Sequence, residues 1–342
     1  MKILVSGLLA YDKIMDFPGR FSDHMLPDKI HQLNISFVTD ELSENFGGCA
    51  GNIAYSLALL GEQPVILASA GKDFAPYREH LQKLGIDLRF VRAVANKPTS
   101  VATMMTDQAD NQIAAVYLGT MAYTSPFPKG STPTAGGISA QRGGSLKSSV
   151  AKGDHPPLEK EEYALAIIAP GNVKDMQRLP GMYRRKKIPF IFDPSQEIPL
   201  LSGEDLKNGI TGSKALMSND YELNLIMEKT RWSEQEILKH TEMLVTTLGE
   251  QGSVVRTAAT AHKIPPAKVK KVVDPTGAGD AYRAGFIKGL IYHWPIETCA
   301  RFAGVVAAYA IEKYGTQHHQ FTFTQVKERY VKAYGKALPR VG

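Results

Sequence analysis

Six short, unbroken apolar runs constrain this chain more than any other feature. Lys2–Ser6 (KILVS), Val65–Ala70, Ala164–Ala169, Phe190–Asp193, Ala215–Ser218 and Met243–Thr247 are each bounded by Gly, Pro, Asp or Asn or pass directly into a turn. A strand with one face in water alternates apolar and polar residues. A run without alternation belongs to a strand covered on both faces, as in a parallel sheet flanked by helices. The intervening segments read as those helices. Asn52–Leu60 places Ile53, Leu57 and Leu60 on one side and ends at Gly61. Ser233-Glu-Gln-Glu236 reads as a capping box opening another helix. Alternating strands and helices predict an α/β fold with a mostly parallel central sheet and right-handed crossovers.

Two regions depart from this rhythm. Asn34–Asp40 and Ser100–Leu118 look like strands without helices between them. Val101–Thr106 and Ile113–Leu118 flank a polar turn and predict a hairpin. We read them as a small β lid on the α/β body, drawn from about residues 12–46 and 97–124, against the simpler alternative of an edge extension of the main sheet. Ser125–Pro157 differs again, since 19 of its 33 residues are Gly, Pro, Ser or Thr. Such a stretch buries too little apolar area to offset its ordering entropy and reads as a flexible insert.

Composition excludes several classes. With 342 residues, 43% hydrophobic and 22% charged, the chain is globular and long enough to build a core without staples. Two cysteines, Cys49 and Cys299, exclude a disulfide scaffold or Cys-rich metal site. The net charge is +6, but four basic residues and one acidic residue fall within Ser125–Pro157. Half the excess thus sits in the insert, and no nucleic-acid partner is expected. No apolar run spans a bilayer and the first residues lack the layout of a secretion signal, so no membrane partner and a cytoplasmic location are expected.

The chemistry concentrates at two glycine clusters. Asp274-Pro-Thr-Gly-Ala-Gly-Asp280 follows the strand-like Val269–Val273 and opens a helical stretch. Gly277, Ala278 and Gly279 carry little side-chain bulk where a chain turns into a helix, so amide groups and the helix dipole form an anion site. Asp280 is then either a helix cap or an acid held beside that site to accept a proton. Gly47-Gly-Cys-Ala-Gly-Asn52 precedes the Asn52–Leu60 helix. Gly47 and Gly48 let backbone approach a ligand, and Asn52 supplies a donor and an acceptor. A plain glycine turn with an Asn cap is the alternative. Walker-type, dinucleotide-binding, zinc-protease and serine-hydrolase motifs are all absent from the sequence.

Taken together, these clusters resemble the signatures of the ribokinase-like (PfkB) carbohydrate and nucleoside kinases. Gly47-Gly-x-Ala-x-Asn52, Gly61 and Gly71 match the N-terminal signature, and Asp274–Asp280 with Ala284-Gly285 matches the C-terminal one. Asn219-Asp-Tyr-Glu222 resembles the N-x-x-E element, and Thr247-Leu-Gly249-Glu-Gln-Gly252 the nucleotide-binding turn. Tyr11-Asp12, Phe17-Pro-Gly-Arg-Phe-Ser22, Leu26-Pro27 and Tyr314-Gly-Thr-Gln317 look most like the bacterial adenosine kinase branch.

The resemblance implies a three-layer α/β sandwich with a β lid, and one kinase domain over residues 1–342. It also implies transfer of the γ-phosphoryl of ATP to the 5′-hydroxyl of a ribonucleoside, with adenosine foremost. A sugar kinase of ribokinase or fructokinase type is the first alternative, and a silent ligand-binding member of the fold the second. Asp280 would be the base and Gly277, Ala278 and Gly279 the anion hole. Asp12, Gly47, Gly48 and Asn52 would hold the ribose, with Ser6 and Ser36 nearby. Asn219, Thr247, Gly249 and Gly252 would bind the nucleotide, and Glu222 with Asn219 would organise Mg²⁺, through water. A K⁺ site at the Asp274 and Thr276 carbonyls and a homodimer through the lid also come with the resemblance. One departure stands out: the positions of the purine-stacking aromatics fall on Ala102 and Val116, with Phe37 or Tyr117 as substitutes. Cys49 reads as a small filler, and His318-His319 as surface.

Overall fold

The computed structural model describes residues 1–25, 35–109, 111–126 and 163–339. The chain begins with β1 (Lys2–Ser6), β2 (Ala10–Asp16), β3 (Glu41–Gly47), α1 (Cys49–Leu59), β4 (Gln63–Ala70), α2 (Ala75–Lys83) and β5 (Asp87–Ala93). A hairpin follows, β6 (Ser100–Thr106) and β7 (Gln112–Tyr117). Then come β8 (Leu165–Ile168), α3 (Val173–Lys186), β9 (Phe190–Phe192), α4 (Gly203–Ile210), β10 (Ala215–Asn219), α5 (Asp220–Thr230) and α6 (Glu234–Ile237). The order ends with β11 (Leu244–Thr247), β12 (Ser253–Arg256), β13 (Ala261–Ile264), α7 (Ala278–Ile291), α8 (Ile296–Ile311) and α9 (Phe323–Tyr334).

All six apolar runs are strands of one sheet, ordered β13-β12-β11-β10-β9-β8-β1-β4-β5 among the described residues. Every pairing from β5 through to β11 is parallel, and β12 and β13 add an antiparallel edge. Alternation of side chains explains the unbroken runs. Ile3, Val5, Ile167 and Val245 face a core built with Ile53 and Leu57 of α1, Phe286 of α7 and Phe302 of α8. Leu4, Ala166, Phe190 and Leu244 face a second core with Leu179 of α3, Leu206 of α4 and Ile226 of α5. The result is helix, sheet and helix in three layers.

A second sheet has the order β3-β2-β6-β7. β6 and β7 are the expected hairpin, and β2 and β6 run parallel. Its other strand lies elsewhere than expected. Residues 35–39 are not a strand, because Phe37 packs edge-on against Phe17 and Phe21 at 4.8 and 5.0 Å instead. The strand is Glu41–Gly47, whose mostly polar sequence hides it at the edge of the sheet.

Three other expectations need correction. Val269–Val273 is not a strand; the Val273 amide donates to Ile311 and the Lys270 amide to Glu312, tying this stretch to the end of α8. The Ser233 hydroxyl accepts the Glu236 amide at 3.2 Å, but the Glu236 carboxylate pairs with Lys239 and His240, so the box is half made. His319 is buried, with its Nε2 3.1 Å from the Ser56 hydroxyl, and burial lowers its pKa to about 4; only His318 is exposed. Of the insert, Ser125 and Pro126 are described and the rest lies outside the described residues, as does Leu26-Pro27. Among the described residues, no helix is long and apolar enough to cross a membrane.

Helices α7 and α8 pack closely because Gly289 meets Cys299. A Cβ on Gly289 would lie 2.6 Å from the Cys299 sulfur and 2.9 Å from its Cα. Gly289→Ala is expected to destabilise the protein by about 1–3 kcal/mol, read as a lower urea midpoint with an unchanged slope.

Candidate active site

Strand β1 pairs with β4 on one side and β8 on the other, so the strand order reverses there. In open α/β sheets, ligands bind outside the carboxyl ends of the strands at such a point. The chain leaves β1 at Ser6 and enters β2, which carries Asp12. Asp12 lies opposite Asn45 of β3 and Ala102 of β6. Its carboxylate rests where a side chain on Gly47 would be, since a Cβ there would fall 2.1 Å from Asp12 Oδ2. Gly48 then caps α1 with a φ of +84°. Any Cβ on it would meet the Leu8 carbonyl at 2.5 Å.

The first turn of α1 meets the first turn of α7. Asn52 Nδ2 donates to Asp280 Oδ2 at 2.9 Å, across 228 positions of sequence. Helix α7 starts at Gly277, whose φ of +77° is left-handed. Asp274 braces this start from below, accepting the Thr276 amide at 2.8 Å and the Gly315 amide at 2.9 Å. The Ala278 amide donates back to Pro275 at 3.2 Å. The amides of Gly279 and Asp280 remain as donors without a partner inside the helix. Asn52 is itself aligned, because Gln317 Nε2 donates to Asn52 Oδ1 at 3.0 Å and to the Tyr77 hydroxyl at 2.6 Å. Tyr77 donates onward to the Gly47 carbonyl at 2.9 Å.

This cleft holds two carboxyls above their ordinary range. Burial first, then Asp280 and Asp274, raises Asp12 to about 7. Burial raises Asp280 to about 6, offset in part by Arg283 and by the Asn52 amide. Arg283, one turn along α7, is bound to Asp193 at the end of β9 through Nε and through Nη2 at 2.8 Å. Burial and the neighbouring Asp280 and Asp193 push the Cys49 thiol well above its usual range, consistent with a filler rather than a nucleophile.

A second group lies along the carboxyl ends of β10 and β11. Asn219 and Thr247 are register partners. Asn219 and Glu222 form a reciprocal capping box on α5, at 2.7 and 2.8 Å. Burial raises the Glu222 pKa. Gly249 and Gly252 shape the turn into β12 with φ of +56° and +88°. A Cβ on Gly252 would strike the Ile264 carbonyl at 2.1 Å. The remaining two candidates lie apart from this geometry. The Ser6 hydroxyl is spent on the Ile167 carbonyl at 3.0 Å, and Ser36 lies exposed on the coil before β3.

Ala102 is opposite both Asp12 and Val116, so the two small residues share the Asp12 face of the second sheet. Tyr117 opposes Val101 and therefore projects from the other face. Among the described residues, no cluster of His, Cys, Asp and Glu has the makings of a direct metal cage. Sequence reading missed Arg283, Asp193 and Tyr77 as parts of the site. Arg283 reads as one more helical residue, and only the fold brings the other two to it.

The model of the pfkB family of carbohydrate kinases matches residues 13–130 and 162–321. This chain belongs to that family. The kinase is 29% identical over 345 residues to a nucleoside kinase of Methanothermobacter thermautotrophicus, covering 98% of both chains. It is 24% identical over 277 residues to a cytidine kinase of Thermococcus kodakarensis, covering 79% of this chain and 88% of that one. Among solved structures, the nucleoside kinase of Burkholderia thailandensis in complex with inosine superposes with a TM-score of 0.81 at 31% identity, covering 99% of this chain and all of that one. The enzyme is a phosphotransferase with an alcohol group as acceptor.

The raised Asp12 carboxyl carries a stability consequence. A carboxyl whose folded pKa exceeds its unfolded value favours folding most at low pH, and that advantage disappears as pH rises through the folded value. Asp12→Asn is therefore expected to raise the melting temperature relative to the parent, by a margin that grows between about pH 4 and pH 7. Thermal scans across that range check it.

Proposed function

We propose that this kinase transfers the γ-phosphoryl of ATP to the 5′-hydroxyl of a ribonucleoside, with adenosine among its acceptors and selection among bases relaxed. The observation that carries this reading is the 2.9 Å contact between Asn52 and Asp280, which joins the two glycine-flanked helix starts in one cleft. In this reading Asp12, Gly47, Gly48 and Asn52 hold the ribose, and Asp280 takes the proton of the attacking hydroxyl. The new bond forms between that oxygen and the γ-phosphorus, the bond from the γ-phosphorus to the β,γ-bridging oxygen of ATP breaks so that ADP leaves, and the proton ends on the carboxylate. The transition state is loose, so alignment and charge stabilisation dominate, and the α7 amides at Gly279 and Asp280, with Gly277 and Ala278 in the same turn, supply them.

Asn219, Thr247, Gly249 and Gly252 form the nucleotide side of the cleft. Mg²⁺ held through water fits Asn219 and Glu222, because the box uses only part of their oxygen capacity and Glu222 is half-desolvated. When bound, the ion supplies charge compensation for the phosphates. The second sheet serves as the lid over the acceptor. On its far side, Leu42, Met15, Met105 and Ile113 form one cross-strand row, with Leu42 63% exposed. We read this row as the contact of a homodimer.

Relaxed base selection follows from Ala102 and Val116. Neither stacks on a base, and the relatives include a cytidine kinase, a nucleoside kinase and a nucleoside kinase solved in complex with inosine. A panel of adenosine, inosine, cytidine, ribose and fructose with ATP tests the reading. Nucleosides should be phosphorylated at the 5′ position with kcat/KM far above either sugar. A preference for a free sugar would replace this reading with a sugar kinase, and no turnover of any acceptor would favour a binding protein. Val116→Phe should lower KM for adenosine by up to about tenfold, corresponding to about 1–1.4 kcal/mol of added stacking.

A further inference from the structure

The buried charges behind the cradle have no part in the reading so far. Arg283 and Asp193 are 8% and 0% exposed. The guanidinium spends Nε and Nη2 on Asp193, and Nη2 also donates to the Ser195 hydroxyl at 2.9 Å. Ser195 donates in turn to Asp193 Oδ1 at 2.7 Å and holds a left-handed φ of +34°. These bonds leave the guanidinium no rotational freedom. Its third nitrogen, Nη1, lies against Gly279, where an added Cβ would come within 2.5 Å of it. The middle of the glycine turn thus rests directly on a fixed cation. A buried pair of this kind is a poor way to gain stability, since desolvation offsets the attraction. Its placement under the helix start offers a different return.

We propose that the Arg283–Asp193 pair is an electrostatic positioning device for phosphoryl transfer, in which Arg283 holds the Gly279 turn in place and keeps Asp280 anionic. The proposal rests on the reading of Asp280 as the base. Five other groups face Asp280. Asn52 and Cys49 of α1 hydrogen-bond to it, Asp193 acts on it through charge, and Asp12 of β2 and the neutral Tyr77 of α2 are in turn raised by the charge of Asp280. Among the groups acting directly on Asp280, Arg283 is the cation, and it counters burial more than any other group does. Asp193 acts with the opposite sign. The two members of one ion pair therefore predict opposite outcomes, which a purely structural role does not.

The test is the pH profile of kcat for Arg283→Gln, Asp193→Asn and the double variant, with the full-length enzyme, ATP and a nucleoside acceptor. Arg283→Gln should move the acid limb up by about one pH unit and lower kcat at least tenfold, with acceptor KM little changed. Asp193→Asn should move the limb down. The double variant should return it close to the parent position, and Arg283→Lys should keep it there. Asp193→Asn preserves shape and carries the test if Arg283→Gln does not fold. Acid limbs that stay in place in both single variants, with activity tracking only the folded fraction, would overturn the proposal. If Asp280→Asn also left kcat intact, the base assignment itself would fail; loss in that variant with unmoved limbs elsewhere would sink the ion-pair role alone.

Discussion

The hydrogen bond from Asn52 to Asp280 is the constraint on which the rest of the site depends. It joins residues 228 positions apart and fixes two helix N-termini against each other. Each helix starts at a glycine with a left-handed φ, Gly48 for α1 and Gly277 for α7. A side chain at Gly48 would strike the Leu8 carbonyl, so glycine lets α1 start close to the crossing between β1 and β2, where the Ala50 amide donates to that carbonyl at 3.0 Å. Gln317 orients the Asn52 amide so that its nitrogen meets Asp280. The direction of each donor in this chain is settled by the next, and the carboxylate is presented in one orientation.

Such an arrangement concentrates negative charge where burial penalises it. Asp12 and Asp280 are both raised by burial, and the charge of Asp280 raises the cost of ionising Asp12 further. The fold meets this cost locally, with helix-start amides, the Asn52 donor and the Arg283 guanidinium. The anion site and the carboxylates are thus parts of one charge balance. An incoming phosphate chain and its metal alter that balance, and the acceptor hydroxyl enters it through the base.

Much of this was legible in the sequence because it resides in local pattern. The six apolar runs identified six of the nine described strands of the large sheet, since strands buried on both faces show no alternation. The glycine clusters marked both helix starts, because a left-handed φ favours glycine and because a Cβ on Gly47 would lie 2.1 Å from the Asp12 carboxylate. What escaped depends on distant partners. Glu41–Gly47 is a polar edge strand whose register comes from β2. Phe37 looked like a strand residue but satisfies its burial in an aromatic cluster. His319 sits beside an exposed histidine and is buried by Tyr55 and Ser56. Arg283 and Asp193 carry no motif, and their pairing exists only once β9 and α7 are neighbours. The Asn219–Glu222 pair shows a motif serving two purposes, as it caps α5 while facing the nucleotide end of the sheet in our reading.

The most direct measurement is single-turnover phosphoryl transfer by Asp280→Asn, with ATP and acceptor binding measured in parallel. The account predicts that both ligands still bind while transfer slows by about 10²–10⁴-fold, as for loss of a positioned base. Transfer at the parental rate by a folded Asp280→Asn enzyme would contradict it.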